Sequence, residues 1–222
     1  MTDAAFFTEV LIPALLKGGV VSLQLIALAA PFGLLAGIAI AIGRTYGGRV
    51  VSGLCHGYII FFKGCPLLLL LFILYFGLPS LGITLPAFVA AVIGFILCNG
   101  AYNSEYIRGA LLSVKEGQMI AAQALGMSRW QAIRHIILPQ ALRRAIPGVS
   151  NEFIYLIKYS SLAYLITVTE LTGAAKIVAA KYFAYFEAFA LVGIFYLILV
   201  SIATVAVGVL EKRLAIPGFS GK

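Results

Sequence analysis

An all-α membrane protein with five transmembrane helices is the fold class this sequence predicts, on three observations. Of its 222 residues 62% are hydrophobic and 11% charged, more apolar surface than a soluble domain of this size can bury. Mean hydropathy is +1.06, which places the chain among membrane proteins before any motif is read. The apolar stretches run for about 20 residues or more, the length a bilayer core requires of a helix. Barrel strands would instead show short alternating segments.

Taken in order, the spans are predicted at residues 19–43, 51–78, 83–104, 147–168 and 188–210. The first, third and fifth carry no charge, and the second is interrupted only by Lys63. The fourth is weaker, because it holds Glu152 and Lys158. Asp3 and Glu9, without a basic leading segment, predict no cleavable signal peptide. The three cysteines, Cys55, Cys65 and Cys98, lie in apolar surroundings without a CxxC pair. They read as small hydrophobes, with neither a disulfide framework nor a metal site implied.

Orientation follows from the basic residues. Arg44 and Arg49 follow the first span. Arg108, Lys115, Arg129, Arg134, Arg143 and Arg144 lie between the third and fourth, and Lys212, Arg213 and Lys222 close the chain. The opposite side holds only Lys17, Lys176 and Lys181, and the loop 77–86 has no charge. The positive-inside rule then predicts an outer N-terminus and a cytoplasmic C-terminus. Tyr182, Phe183, Tyr185 and Phe186 suit an aromatic belt at the outer interface.

The segment between the third and fourth spans is the most informative. Ala121 to Leu125 favour a helix, and Gly126 stands where a helix end turns left-handed. Ser128, with Gln131 three positions on, fits a capping box that opens a second helix. Ile133, Ile136 and Ile137 give that helix an apolar stripe, and Pro139 is predicted to end it. A basic two-helix segment also suggests a DNA-binding helix-turn-helix. That motif needs a packed three-helix domain, for which this loop has no room. A docking surface for a soluble partner is the better reading, and a merely structured loop the plainer one.

With that spacing in view, the segment resembles the EAA loop of ABC-importer permeases. Ala121, Ala122, Gly126, Ile136, Leu138 and Pro139 fall at the motif positions, and Ile120 replaces its glutamate. Further stretches are similar to the polar amino-acid branch, which includes histidine, glutamine, glutamate, arginine and opine permeases. They are Phe62-Lys63-Gly64-Cys65-Pro66-Leu67-Leu68, the run Ala101 to Gly109, and Leu156-Ile157-Lys158-Tyr159-Ser160-Ser161-Leu162. The resemblance implies a type I ABC-importer permease architecture in a prokaryotic inner membrane. It further implies a cytoplasmic ABC ATPase dimer seated on residues 117–139, with Ala121, Ala122, Gly126, Ser128, Leu138 and Pro139 as the coupling residues. A second permease subunit, an extracytoplasmic solute-binding protein and an amino-acid substrate complete the implied assembly.

No GxxxxGK[ST] loop occurs, so ATP and magnesium are expected on the partner ATPase and no catalytic residue or cofactor in this chain. Nothing points to a nucleic-acid partner; lipid surrounds the spans. A secondary transporter or channel without an ATPase is the alternative, although its usual repeats or broken-helix pairs are not apparent. A membrane enzyme would need a cluster of catalytic groups, and the sequence offers scattered singletons.

A charge inside a bilayer costs roughly 2.5–3.5 kcal/mol on insertion scales, so each needs a reason. Lys63, Asn99, Asn103, Glu152, Lys158 and Tyr159 are candidates for a substrate path. Either lysine suits a substrate carboxylate, and Glu152 or Glu170 suits its ammonium. The plainer alternative makes the lysines interhelical glue, paired with those glutamates or with backbone carbonyls, and gives the asparagines interhelical hydrogen bonds. A carboxylate at Tyr159 would have suited a cationic side chain. Glu105 and Arg108, at i,i+3, are expected to pair. His56 reads as a structural histidine and His135 as a solvated one.

Overall fold

The computed structural model describes residues 5–214, so Asp3 and Lys222 lie outside the described residues. Every regular element within them is helical. One π turn, Phe6–Leu11, leads into α1, Ile12–Tyr46. Together they form one apolar helix of 41 residues, roughly 60 Å at 1.5 Å per residue. Lys17 does not stop it, and Pro31 lies inside it. The backbone bond lost at a proline is tolerated in a membrane helix where packing replaces it. α1 ends where Gly47 turns extended.

The stretch predicted as one span over 51–78 is two helices. α2, Arg49–Gly64, and the following α3, Leu67–Phe72, are bent by 100°. Pro66 is the cause: it has no N–H to continue the ladder, and it drives Cys65 out of the helical region. α3 runs on through a π turn, Ile73–Gly77, and a 3₁₀ turn, Leu78–Leu81, to the chain reversal at Gly82. α4, Ala87–Ser113, crosses the middle of the bundle.

The connector folds into α5, Glu116–Ala124, and α6, Arg129–Ala132. Pro139 does not end this second helix, contrary to the sequence reading. A π turn over Ile133–Ile137 joins α6 to α7, Leu138–Tyr159. In the wider turn Leu138 N–H bonds Ile133 O, and the proline falls where its missing donor is absorbed. Pro147 likewise lies inside α7 instead of opening it.

A 3₁₀ segment, Ser160–Ile166, then leads past Thr167, at φ 71°, to α8, Leu171–Tyr182. Residues Arg129–Ile166 and α8 form a second bent pair, at 49°. α8 occupies the stretch that the charge pattern predicts as an outer loop. Its Leu171, Ala175, Val178 and Ala179 are buried in one cluster with Leu11 of the leading π turn and Leu15 of α1, while Lys176 and Lys181 face outward. Phe183 turns the chain at φ 55° into α9, Tyr185–Leu214. Among the described residues, three helices are thus long and apolar enough to cross a membrane alone, and the spans number up to five if each bent pair counts as one.

Small residues let α1 approach its neighbours. A Cβ on Gly37 would sit 2.7 Å from Asn103 Cβ, and one on Gly18 would sit 2.7 Å from Glu170 O. Close approach of this kind is how helices associate in a medium that gives no hydrophobic drive. We expect Gly37→Val to overpack the α1–α4 contact by about 1–3 kcal/mol. The check is the thermal unfolding midpoint of purified protein in detergent; an unchanged midpoint would show that α4 yields freely here. α9 is different. Only 11% of its most apolar window is buried, and Leu197, Ile202 and Val205 project outward. Such a surface suits lipid or another membrane subunit.

Candidate functional site

Both features singled out in the sequence are assembled by these helices: the two-helix loop at one end of the bundle, and a stripe of polar side chains within it. The loop is defined by short-range hydrogen bonds. α5 closes in a Schellman motif, with Met127 N–H on Ala122 O at 3.1 Å and Gly126 N–H on Gln123 O at 2.9 Å. The geometry requires Gly126 at φ +83°, a conformation that costs an ordinary residue about 1–2 kcal/mol. α6 opens with the reciprocal capping box. Gln131 N–H donates to Ser128 Oγ at 3.3 Å, and Ser128 N–H donates to Gln131 Oε1 at 2.8 Å.

The loop has two faces. Ala122, Ala132, Ile133 and Ile137 are buried, and Ile137 packs in one cluster with Ala41 of α1 and Ile107 and Leu111 of α4. Outward stand Ile120, Leu125 and Trp130, exposed by 62%, 84% and 61%. Of the residues expected at a coupling surface, Ala121, Gly126 and Ser128 are exposed, and Ala122 supports the turn from inside. Leu138 and Pro139 lie at the start of α7, half-buried and exposed respectively. The sequence reading missed Leu125 and Trp130. Their signal was available, since each is a large apolar side chain beside a turn that fixes it outward. An open concavity of about 440 Å³ lies beside them, lined by Leu125, Gly126, Met127, Gln131 and His135. His135 Nδ1 lies 3.0 Å from Gln131 O and shares that surface.

The polar stripe runs along α4 and α7. Asn103 Nδ2 donates to Asn99 Oδ1 at 2.7 Å. Asn99 in turn neighbours the buried carboxylate of Glu152, which lies within the electrostatic reach of Lys63. Lys63 Nζ sits 5.3 Å above the Tyr102 ring, and Lys158 Nζ 4.2 Å above that of Tyr155. Tyr155 stacks on Tyr159 at 5.8 Å. Both lysines are exposed at the side of the single chain, where an ammonium on an aromatic face gains about 0.5–1 kcal/mol or more. Lys63, Asn99, Asn103, Glu152 and Tyr159 are thereby drawn into one region, with Lys158 joined through the tyrosine stack.

Glu170 does not belong to that region, which corrects its reading as a partner for substrate or lysine. It caps α8, fully buried, and accepts from Thr172 N–H, Gly173 N–H and Tyr196 Oη, each at 2.9 Å, and from Ser22 Oγ at 3.3 Å. Glu105 pairs with Arg108 as expected, at 2.9 Å. It also binds Arg44 of α1 at 2.6 Å, a partner that local spacing does not reveal.

Comparison with known proteins places this architecture. Residues 30–216 match the family described as binding-protein-dependent transport system inner membrane component. A probable amino-acid ABC transporter permease protein of Bacillus subtilis is 48% identical over 158 residues, 71% of this chain and 70% of that protein. The glutamine transport system permease protein of Escherichia coli K12 is 36% identical over 207 residues, covering 92% of this chain and 94% of its own. Among solved structures, an amino acid ABC transporter with histidines superposes with a TM-score of 0.84 at 32% identity, over 91% of this chain and 94% of that one. An inward facing methionine ABC transporter shares the fold, with a TM-score of 0.78 at 18% identity over 97% of this chain and all of the other.

Proposed function

The chain belongs to the family of binding-protein-dependent transport system inner membrane components, and from that premise we propose how it works as the membrane subunit of an ATP-driven amino-acid importer. The carrying observation is the continuity of the loop with the polar stripe. α6 passes without interruption into α7, and α7 bears Glu152, Lys158 and Tyr159. A soluble ATPase seated on Ile120, Leu125, Gly126 and Trp130 would therefore act on the same helix that meets the substrate. Closure of the ATPase dimer on ATP and magnesium tilts α7, and alternating access follows from that tilt with no catalytic residue in this chain.

The loop faces the cytoplasm in this reading, supported by the basic residues at its end of the bundle, among them Arg44, Arg49, Lys115, Lys212 and Arg213. One chain leaves Lys63, Tyr102, Tyr155 and Lys158 along its side. A second permease subunit facing that side would enclose the path, and an extracytoplasmic binding protein would deliver the amino acid to it. The lysines suit the substrate carboxylate, and Glu152 suits its ammonium.

The test is ATP-dependent uptake by the assembled transporter in proteoliposomes, across a panel of amino acids. Glu152→Gln keeps the shape and removes the charge. A charge-assisted hydrogen bond contributes about 1.5–3 kcal/mol, so uptake should fall about tenfold or more while the ATPase still co-purifies. Undiminished uptake would move the substrate path away from this stripe.

A further inference from the structure

How the loop grips the spans is a separate matter from how it docks. It is covalently attached at two places: α4 enters α5 through the extended Val114 and Lys115, and α6 continues into α7. A body held at two points can still swing about the line between them. α1 has no covalent link to the loop, yet its last residue meets it. The guanidinium carbon of Arg129, the first residue of α6, lies 5.8 Å from the centre of the Tyr46 ring. Tyr46 also packs with Ala41, Ile107 and Ile137 in the apolar cluster beneath the loop. Immediately after it, Gly47 and Gly48 leave the helical path.

We propose that Tyr46 and Arg129 form the third mount of the docking loop, so that displacement of the loop is passed to α1 as well as to α7. From α1 the displacement reaches α4 by a second pin at the same end, where Arg44 Nη1 meets Glu105 Oε1 at 2.6 Å and Arg108 braces that carboxylate from within α4. Gly37, closely packed on Asn103, keeps the two helices from parting further along. α1 and α4 thus move as one block opposite α7. That relative motion is what opens or closes a path bordered by Asn99 on one side and Glu152 on the other. Tyr46 and Arg129 are positioning residues here, acting through the spans and not on the substrate. The inference rests on the reading that the loop docks an ATPase.

Tyr46→Leu keeps an apolar side chain in the cluster but removes the aromatic face, and Tyr46→Phe keeps both. The measurement is amino acid taken up per ATP hydrolysed by the complete transporter in proteoliposomes, with co-purification of the ATPase scored in parallel. A cation–aromatic contact at an exposed site contributes about 0.5–1 kcal/mol. Tyr46→Leu should therefore lower that ratio about two- to fivefold with hydrolysis and co-purification retained, and Tyr46→Phe should match the parent. A parental ratio in Tyr46→Leu overturns the proposal, as does loss of co-purification, which would make the ring a folding or docking group. If Tyr46→Leu does not accumulate in the membrane, Arg129→Lys and Arg129→Gln carry the test, and equal ratios in these two overturn it. Failure of the parent chain to retain an ATPase would instead defeat the docking reading, before any variant is compared.

Discussion

Gly126→Val is expected to reduce transport tenfold or more while leaving the chain inserted in the membrane. The residue adopts φ +83°, where a β-branched side chain meets its own backbone at a cost of about 1–2 kcal/mol. Escape from that strain unwinds the Schellman turn. It gives up the bonds from Gly126 N–H to Gln123 O and from Met127 N–H to Ala122 O, each contributing about 1 kcal/mol. The molecule meets whichever cost is smaller, the strain or about 2 kcal/mol of lost bonds, and either way the turn that holds Leu125 and Ser128 in register is weakened. Within the chain the added side chain has room, since no atom lies within 4 Å of a Cβ there. Strain and partner contact can therefore be separated. Asparagine tolerates the left-handed region better than valine does, so Gly126→Asn should retain much of the transport if strain dominates. If Asn fails as completely as Val, the surface itself requires a bare backbone. Uptake, membrane abundance and ATPase co-purification measured together give the answer, and normal uptake by Gly126→Val would remove this loop from the coupling route.

The loop was legible because its information is local. A Gly at a helix end and a Ser with Gln three positions on fix their own hydrogen bonds, whatever the rest of the chain does. The i,i+3 pair of Glu105 and Arg108 was legible on the same ground, whereas Arg44 arrives from 61 residues away. Proline meaning depended on context. Pro66 follows an extended Cys65 and separates two helices, whereas Pro139 is absorbed beside a π turn in a helix packed on its inner face. Hydropathy found the long spans but not α8, whose composition resembles a loop with two lysines. Its buried stripe is recognisable only against Leu11 and Leu15. The polar stripe was partly legible, since a charge in an apolar run demands explanation. Which charges share a region was not, and Glu170 shows why. A buried carboxylate can serve a substrate, a lysine or a backbone, and the difference lies in contacts 148 residues apart.

Glu170→Ala should accordingly be among the most destabilising single substitutions in the chain. Glu170 is 0% exposed, and its carboxylate accepts from two backbone N–H groups, the Tyr196 hydroxyl and the Ser22 hydroxyl. Ser22 Oγ in turn accepts Leu171 N–H at 3.1 Å, and Tyr196 Oη lies 3.1 Å from Thr172 Oγ1. One side chain therefore satisfies the start of α8 and ties it to both α1 and α9. Alanine leaves these donors facing an interior that water does not reach, at about 1–3 kcal/mol for each left unpaired. Relaxation recovers part of this, and a net loss of about 4 kcal/mol is expected, seen as a fall of roughly 10 °C in the unfolding midpoint in detergent. Glu170→Gln should be intermediate, because it keeps the shape and one acceptor but turns an amide donor toward groups that are themselves donors. Ser22→Ala should cost least, about 1 kcal/mol. A midpoint within 2 °C of the parent for Glu170→Ala would mean that the donors find other partners, and that α8 is held by its apolar stripe alone. The expected order, Ala below Gln below Ser22→Ala, instead makes the carboxylate the anchor. It fixes α8 to α1 at the end of the bundle remote from the loop, so that a push delivered at Tyr46 meets a helix already held at its other end.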